Sequence, residues 1–314
     1  MTDAKRPYQA KLGAKVWWNG NMINPEEAVL HVTAHSLHYG LAVFEGIRAY
    51  ELSGGGTGIF RCRDHMQRFV HSAHIGGMPM KYSVDELVEA CKETVRQSGL
   101  KAAYLRPLGF LDAGPLGVAF KREHPVTVAI MSMDWGKYLG ADAMNQGAKI
   151  KISSFTRHHP NVAMTKGKIS GHYVNSVLAR NEANSLGFDE AILLDPEGYV
   201  SEGSGENIFM IRKGKIVSPG VEGVLEGVTR DSIIQICKEM KLEVSERRMS
   251  RDELYIADEV FFSGTAAEVT PISSIDNRLI GRGKPGELTM EISRRFFEIV
   301  HGKNDKFSHW IDRV

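Results

Sequence analysis

Strand and helix signals alternate along this chain on either side of one compositional break, and that alternation limits the folds open to it. The break runs from Gly136 to Gly147, rich in Gly, Ala, Asp and Asn and without periodicity. Before it, Val16-Trp17-Trp18 and Asn21-Met22-Ile23 flank Asn19-Gly20. Asn-Gly between apolar runs specifies a hairpin. Ala42 to Tyr50 reads as one strand, and Ser53 to Gly58 as a glycine-rich tip leading into Ile59-Phe60-Arg61. Helices are expected over Asp64 to Ile75 and over Val84 to Ser98, the second opened by a capping box of Ser83 and Glu86. Strands Ala103 to Leu111 and Val126 to Met133 follow.

After the break, strands are expected at Lys149 to Ser153, Ala191 to Leu194, Asn207 to Ile211, Lys215 to Ser218 and Glu259 to Ser263. Between them lie a helix from Tyr173 to Leu186, one capped by Thr229, and a short one boxed by Ser250 and Glu253. Thr289 to Val300 closes the chain as a helix. This order predicts a mixed α/β (α+β) protein of two domains. Residues 1–137 form a small α/β domain, 138–148 an interdomain loop, and 149–314 a larger domain.

Composition removes several partners. Net charge is +1, and lysines and arginines are spread rather than gathered, so nothing points to nucleic acid or a membrane surface. Met1 to Ala10 lacks the apolar core of a signal peptide, and no apolar run approaches membrane-spanning length. Cys62, Cys91 and Cys237 lie far apart in no metal-like spacing, and read as buried free thiols of a cytoplasmic protein. His31, His35 and His38 have no partnered carboxylate or cysteine, so no metal site is expected.

The chemistry centres on Pro160 to Tyr173, where Lys166 and Lys168 sit among glycines and small residues just before a helix. A lysine amine that acts as a nucleophile must lose its proton, through burial or a neighbouring cation. Two residues apart in extended chain point to the same side, so spacing does not choose between the lysines. Tyr173, five residues beyond Lys168, adds a phenol within reach of it.

Ser201 to Asn207 is a glycine-rich turn that runs into a strand, which excludes a dinucleotide fingerprint, because that needs a helix there. What remains is Glu202 on a tight turn: either a solvated turn glutamate or a carboxylate that keeps a pyridine nitrogen protonated. Val228-Thr229-Arg230 opens a helix after Gly227, a place where free N–H groups and the macrodipole favour an anion. Gly264-Thr265-Ala266-Ala267 offers further amides and a hydroxyl, and Arg68 a charge. There is no Gly-x-Ser-x-Gly elbow and no Walker sequence.

Taken together, these segments resemble the branched-chain amino-acid aminotransferases, pyridoxal-phosphate enzymes of fold type IV. The resemblance covers nearly the whole chain. It rests on His38-Tyr39-Gly40, Val43 to Arg48, Arg63 to Arg68, Tyr104 to Pro107, Lys168 to Tyr173, Glu202 to Asn207, Gly227 to Asp231 and Gly264 to Glu268. It implies a two-domain fold with pyridoxal 5'-phosphate between the domains. Lys168 is then the lysine that carries the cofactor, Tyr173 the partner of its phenolic oxygen, and Glu202 that of its ring nitrogen. Arg68, Val228, Thr229 and Thr265 would hold the phosphate.

The same resemblance implies an aromatic substrate pocket of Phe44, Tyr39, Tyr104, Trp135 and Tyr138, with Val118 in a loop and Ala266 beside the substrate. Arg48 and Arg106 would lie near the substrate, Arg106 meeting the distal carboxylate of glutamate. Tyr39 and Val118 would cross from the other subunit of a homodimer, with larger assemblies such as a hexamer left open. The implied activity is transfer of the amino group of L-leucine, L-isoleucine or L-valine to 2-oxoglutarate by ping-pong kinetics. D-amino-acid transaminase, aminodeoxychorismate lyase and a non-enzymatic cofactor-binding module are the competing readings. Two positions depart from the common pattern: His172 stands where asparagine is usual, and Glu226 where proline is. A carboxylate beside a phosphate is repelled, so Glu226 is expected to point away.

Overall fold

The computed structural model describes residues 11–136 and 140–314 of the chain. The described residues form two nine-stranded sheets with helices packed on them. In the first, Thr57–Phe60, Ile47–Glu51, Ala103–Leu111, Val126–Asp134, Val16–Trp18 and Asn21–Ile23 lie side by side, every pair antiparallel. The Asn19-Gly20 hairpin forms as its sequence demands, with both residues at positive φ. Helices Cys62–Ile75 and Val84–Arg96 bury Met66, Phe69, Leu87 and Cys91 against this sheet. Ser83 caps the second helix, with Glu86 reaching back to its amide at 2.7 Å.

The second sheet is mixed. Ala148–Thr156 runs parallel to both Glu190–Leu194 and Glu268–Ile275, and helix Tyr173–Ser185 makes the crossover between the first two. Glu259–Gly264 and Asn207–Arg212 continue the sheet by antiparallel pairing. Helices Val228–Glu239 and Glu287–Val300 cover it through Ile233, Ile236, Ile292 and Phe296. All three cysteines are buried and free. No described helix is long and apolar enough to cross a membrane.

Four sequence expectations are corrected. The strand expected over Ala42 to Tyr50 is broken at Glu45-Gly46 into Ala42–Phe44 and Ile47–Glu51. There the Glu45 carboxylate turns inward to partners on the next helix, and a Cβ on Gly46 would lie 1.9 Å from the Tyr104 hydroxyl. The connection read as a loop contains the helix Gly140–Gln146. The helix attributed to a Thr229 cap is capped by Gly227, where a Cβ would strike Asn207 Oδ1 at 2.0 Å, so Thr229 sits inside the first turn. Finally, the chain does not close on a helix: Ile311–Arg313 returns to pair with Thr57–Phe60 of the first sheet. Tyr50 and Phe60 accordingly share one core with Phe296 and Trp310.

Candidate active site

A cleft opens where the two sheets meet. Gly46, Arg68 and Tyr104 come to it from the first sheet and its helix, and Lys168, Tyr173, Glu202, Val228, Thr229, Thr265 and Ala266 from the second half of the chain. The lysine segment is tied to the first half of the chain. The Lys168 amide donates to Ser72 Oγ at 2.9 Å, and its carbonyl accepts from the Phe44 amide at 3.1 Å.

The two lysines diverge. Lys168 Nζ lies 2.6 Å from the Tyr173 hydroxyl and sits over the rings of Phe44 and Tyr173 at 4.8 and 5.0 Å. Lys166 turns the other way, donates to the Val221 carbonyl and pairs with Glu226 at 2.9 Å. The tight turn around Gly167 breaks the extended geometry that would have aligned them. Glu226 is thereby drawn out of the cleft, and only its backbone carbonyl is used there, accepting from Arg68 Nη1 at 2.7 Å.

Glu202 is buried and pairs with Arg157 Nη2 at 2.8 Å. Asn207 Nδ2 donates to it at 3.2 Å and the Leu225 amide at 3.3 Å. Burial pushes its carboxyl above the usual range, while Arg157, the Leu225 amide and Lys168 pull it back. Arg157 was not singled out in the sequence. Its position after a strand and before two histidines carries no signal for it.

Arg68 is held from behind. Its Nε and Nη2 donate to the two oxygens of Glu45 at 2.6 and 2.9 Å, a bidentate grip on a fully buried carboxylate. His65 Nδ1 lies 2.8 Å from the same carboxylate. Burial alone would raise the Glu45 carboxyl, but Arg68 and His65 hold it well below the ordinary carboxylate range. Among the described residues, three of the five N–H groups of Arg68 find partners, and one on each terminal nitrogen is left to a ligand.

Aromatic groups flank the lysine. Phe44 packs edge-on to Tyr173 at 4.7 Å, and Tyr104 edge-on to Trp135 at 4.4 Å. The Arg106 guanidinium lies over Phe44, Tyr104 and Trp135 at 4.9, 5.4 and 5.4 Å. Arg48 acts on backbone at the cleft's edge. Its Nε donates to the Thr265 carbonyl at 2.9 Å, and its Nη2 to the carbonyls of Ala266 and Gly136 at 3.0 and 2.9 Å. It braces the Thr265-Ala266 turn. Tyr39 and Val118 are 44% and 86% exposed and stand outside the cleft of their own chain. Tyr138 lies outside the described residues.

This donor set fits one kind of ligand. A helix N-terminus, an arginine and a hydroxyl-bearing turn suit a phosphate. A buried carboxylate suits a protonated ring nitrogen, and a lysine touching a phenol suits a carbonyl carbon.

The amino-transferase class IV family model matches residues 42–275. A branched-chain-amino-acid aminotransferase of Pseudomonas aeruginosa is 47% identical over 295 residues, 94% of this chain and 95% of that protein. The crystal structure of the Escherichia coli branched-chain amino acid aminotransferase superposes with a TM-score of 0.93 at 43% identity, covering 97% of this chain and 99% of that one. That of the branched-chain aminotransferase from the thermophilic archaeon Thermoproteus uzoniensis, with norvaline, gives a TM-score of 0.91 at 41% identity, with coverage of 96% and 99%. A further branched-chain amino acid aminotransferase of known structure, complexed with N-(5'-phosphopyridoxyl)-L-glutamate, gives a TM-score of 0.93 at 45% identity, with coverage of 97% and 99%.

Proposed function

The chain belongs to the class IV aminotransferase family, and from that premise we propose that it transfers the amino group of L-leucine, L-isoleucine or L-valine to 2-oxoglutarate, using pyridoxal 5'-phosphate. The observation that carries the reading is the Lys168–Tyr173 contact of 2.6 Å in a cleft that also holds Glu202 and the N-terminus of helix Val228–Glu239.

Arg68, the amides of Val228 and Thr229, and Thr265, which line one cleft, would hold the phosphate. Tyr173 would meet the phenolic oxygen and Glu202 the ring nitrogen. When bound, the cofactor supplies an aldehyde carbon for amines and a protonated ring that draws off electron density. The chain does the rest. Lys168 would anchor the cofactor, and its amine, in its neutral form and held against the Tyr173 hydroxyl, would take the substrate's α-proton and hand it back. Tyr173, in contact with that amine, orients it. Arg157 pulls the Glu202 carboxyl back toward its ionised form against the upward push of burial.

Phe44, Tyr104 and Trp135 give an apolar side chain a wall worth about 25 cal/mol per Å² buried. Arg106, lying over the same rings, offers a cation to the distal carboxylate of glutamate, so one pocket serves both partners of a ping-pong reaction. Ala266 lies on the substrate side, on the turn that Arg48 braces. Tyr39 and Val118, exposed beside the apolar Val32 and Leu37, fit a homodimer in which each chain completes its partner's pocket.

A panel of L- and D-amino acids with 2-oxoglutarate tests the activity. Turnover of L-leucine, L-isoleucine and L-valine is expected. Turnover of D-leucine alone, or pyruvate release without an acceptor, would replace this reading with one of its competitors.

A further inference from the structure

Three carboxyl groups are buried together beside the cleft, and the cations do not match them one to one. Glu190 of strand Glu190–Leu194 is fully buried, with Arg180 of helix Tyr173–Ser185 at 2.8 Å. Glu202 has Arg157 at 2.8 Å. Glu206 is 4% exposed, lines the cleft, and has no cation within ion-pair distance among the described residues. Its Oε2 accepts from the Gly205 amide at 3.1 Å. The carboxyl folds back over the turn so closely that a Cβ on Gly203 would lie 2.6 Å from it.

The groups facing Glu206 are Glu190 and Glu202, which repel a second negative charge, and Arg180, which attracts it but sits on Glu190. Buried carboxylates that share one cation retain a proton between them. We propose that Glu206 is a neutral carboxylic acid in the folded protein, one that completes the cleft wall and leaves Glu202 the sole anion offered to the cofactor's ring nitrogen. The second half of this statement rests on the role given to Glu202 above.

Burial and the neighbouring carboxylates place the folded Glu206 carboxyl above its unfolded value. Between those two values the folded chain holds one proton more than the unfolded chain, so stability falls as pH rises through the window. Each pH unit of the window changes the unfolding equilibrium constant about tenfold.

The test is thermal unfolding of the holoenzyme from about pH 5 to about pH 9 for wild type, Glu206→Gln and Glu190→Gln. Glu206→Gln, permanently neutral, is expected to match wild type at the acid end and to outlast it by a gap that widens with pH. Glu190→Gln removes one of the two carboxylates that repel a charge on Glu206, and is expected to flatten the same decline. A Glu206→Gln protein less stable than wild type by an equal margin at every pH would overturn the proposal. So would an undiminished decline in Glu190→Gln. Glu202→Gln separates the two claims. If it retains the cofactor's visible spectrum and turnover, the Glu202 role falls while the pH dependence set by Glu206 stands.

Discussion

Lys168 Nζ lies 2.6 Å from the hydroxyl of Tyr173, across one turn at the mouth of helix Tyr173–Ser185. Lys166, only two residues earlier, is turned onto Glu226. Its ammonium and that carboxylate are partly exposed, and such pairs contribute about 0–1 kcal/mol. Lys166→Ala should therefore keep the visible absorbance of the bound cofactor and nearly all turnover. Absorbance titration with pyridoxal phosphate and a transamination assay check this together.

The Glu45–Arg68–His65 cluster gives a pH dependence of definite sign. Glu45 titrates well below its unfolded value of about 4.3, so its stabilisation is present above that pH and is lost as pH falls further. Burial also keeps His65 below its ordinary value, so below about pH 6.5 the unfolded chain takes up a proton that the folded chain does not, and stability falls in the same direction. Glu45→Gln leaves Arg68 without its buried carboxylate and should cost about 3–5 kcal/mol at neutral pH. Urea unfolding across pH should show that loss, together with a flatter acid limb than wild type.

Arg157→Met removes the cation that draws the Glu202 carboxyl down against its burial. Glu202 can answer by taking up a proton, so turnover suffers more than stability. The expected loss in kcat is at least about tenfold for each unit by which the Glu202 carboxyl rises past the assay pH. A pH–rate profile whose lost activity returns at higher pH would fit this account. A uniform loss of folded protein with unchanged kcat per folded molecule would not.

Much of this site was legible in the chain because its parts are local. The Asn19-Gly20 hairpin and the capping boxes at Ser83 and Ser250 are decided within four residues, and they form as read. The segments that meet at the cleft could also be picked out one by one, since turn, helix start and lysine each carry their own signature. What stayed hidden depends on partners distant in sequence. Glu45 sits in an apolar run that reads as uninterrupted strand, and only Arg68 and His65 explain its burial. Arg157 is defined by Glu202, forty-five residues on. That Arg48 braces the carbonyls of Thr265 and Ala266 was hidden as well, because they lie more than two hundred residues away in sequence. The return of Ile311–Arg313 to the first sheet follows from where the preceding helix leaves the chain, which local pattern does not encode.

Gly46 tests the shape of the pocket. An added methyl would meet the Tyr104 hydroxyl at 1.9 Å, and Tyr104 in turn packs on Trp135. Gly46→Ala should cost about 1–3 kcal/mol through overpacking. It should also raise KM for L-leucine more than it lowers kcat, because the aromatic wall moves while Lys168 does not. Steady-state kinetics with L-leucine and L-valine, read beside a thermal melt, separate the two effects.

The central claim is that Lys168, not Lys166, carries the cofactor. Borohydride reduction of the holoenzyme fixes the cofactor to its lysine, and proteolysis with fragment-ion sequencing locates it. The account predicts the pyridoxyl mass on Lys168 within the peptide that contains Thr165 to Tyr173. The same mass on Lys166, or on any lysine outside that segment, would contradict it.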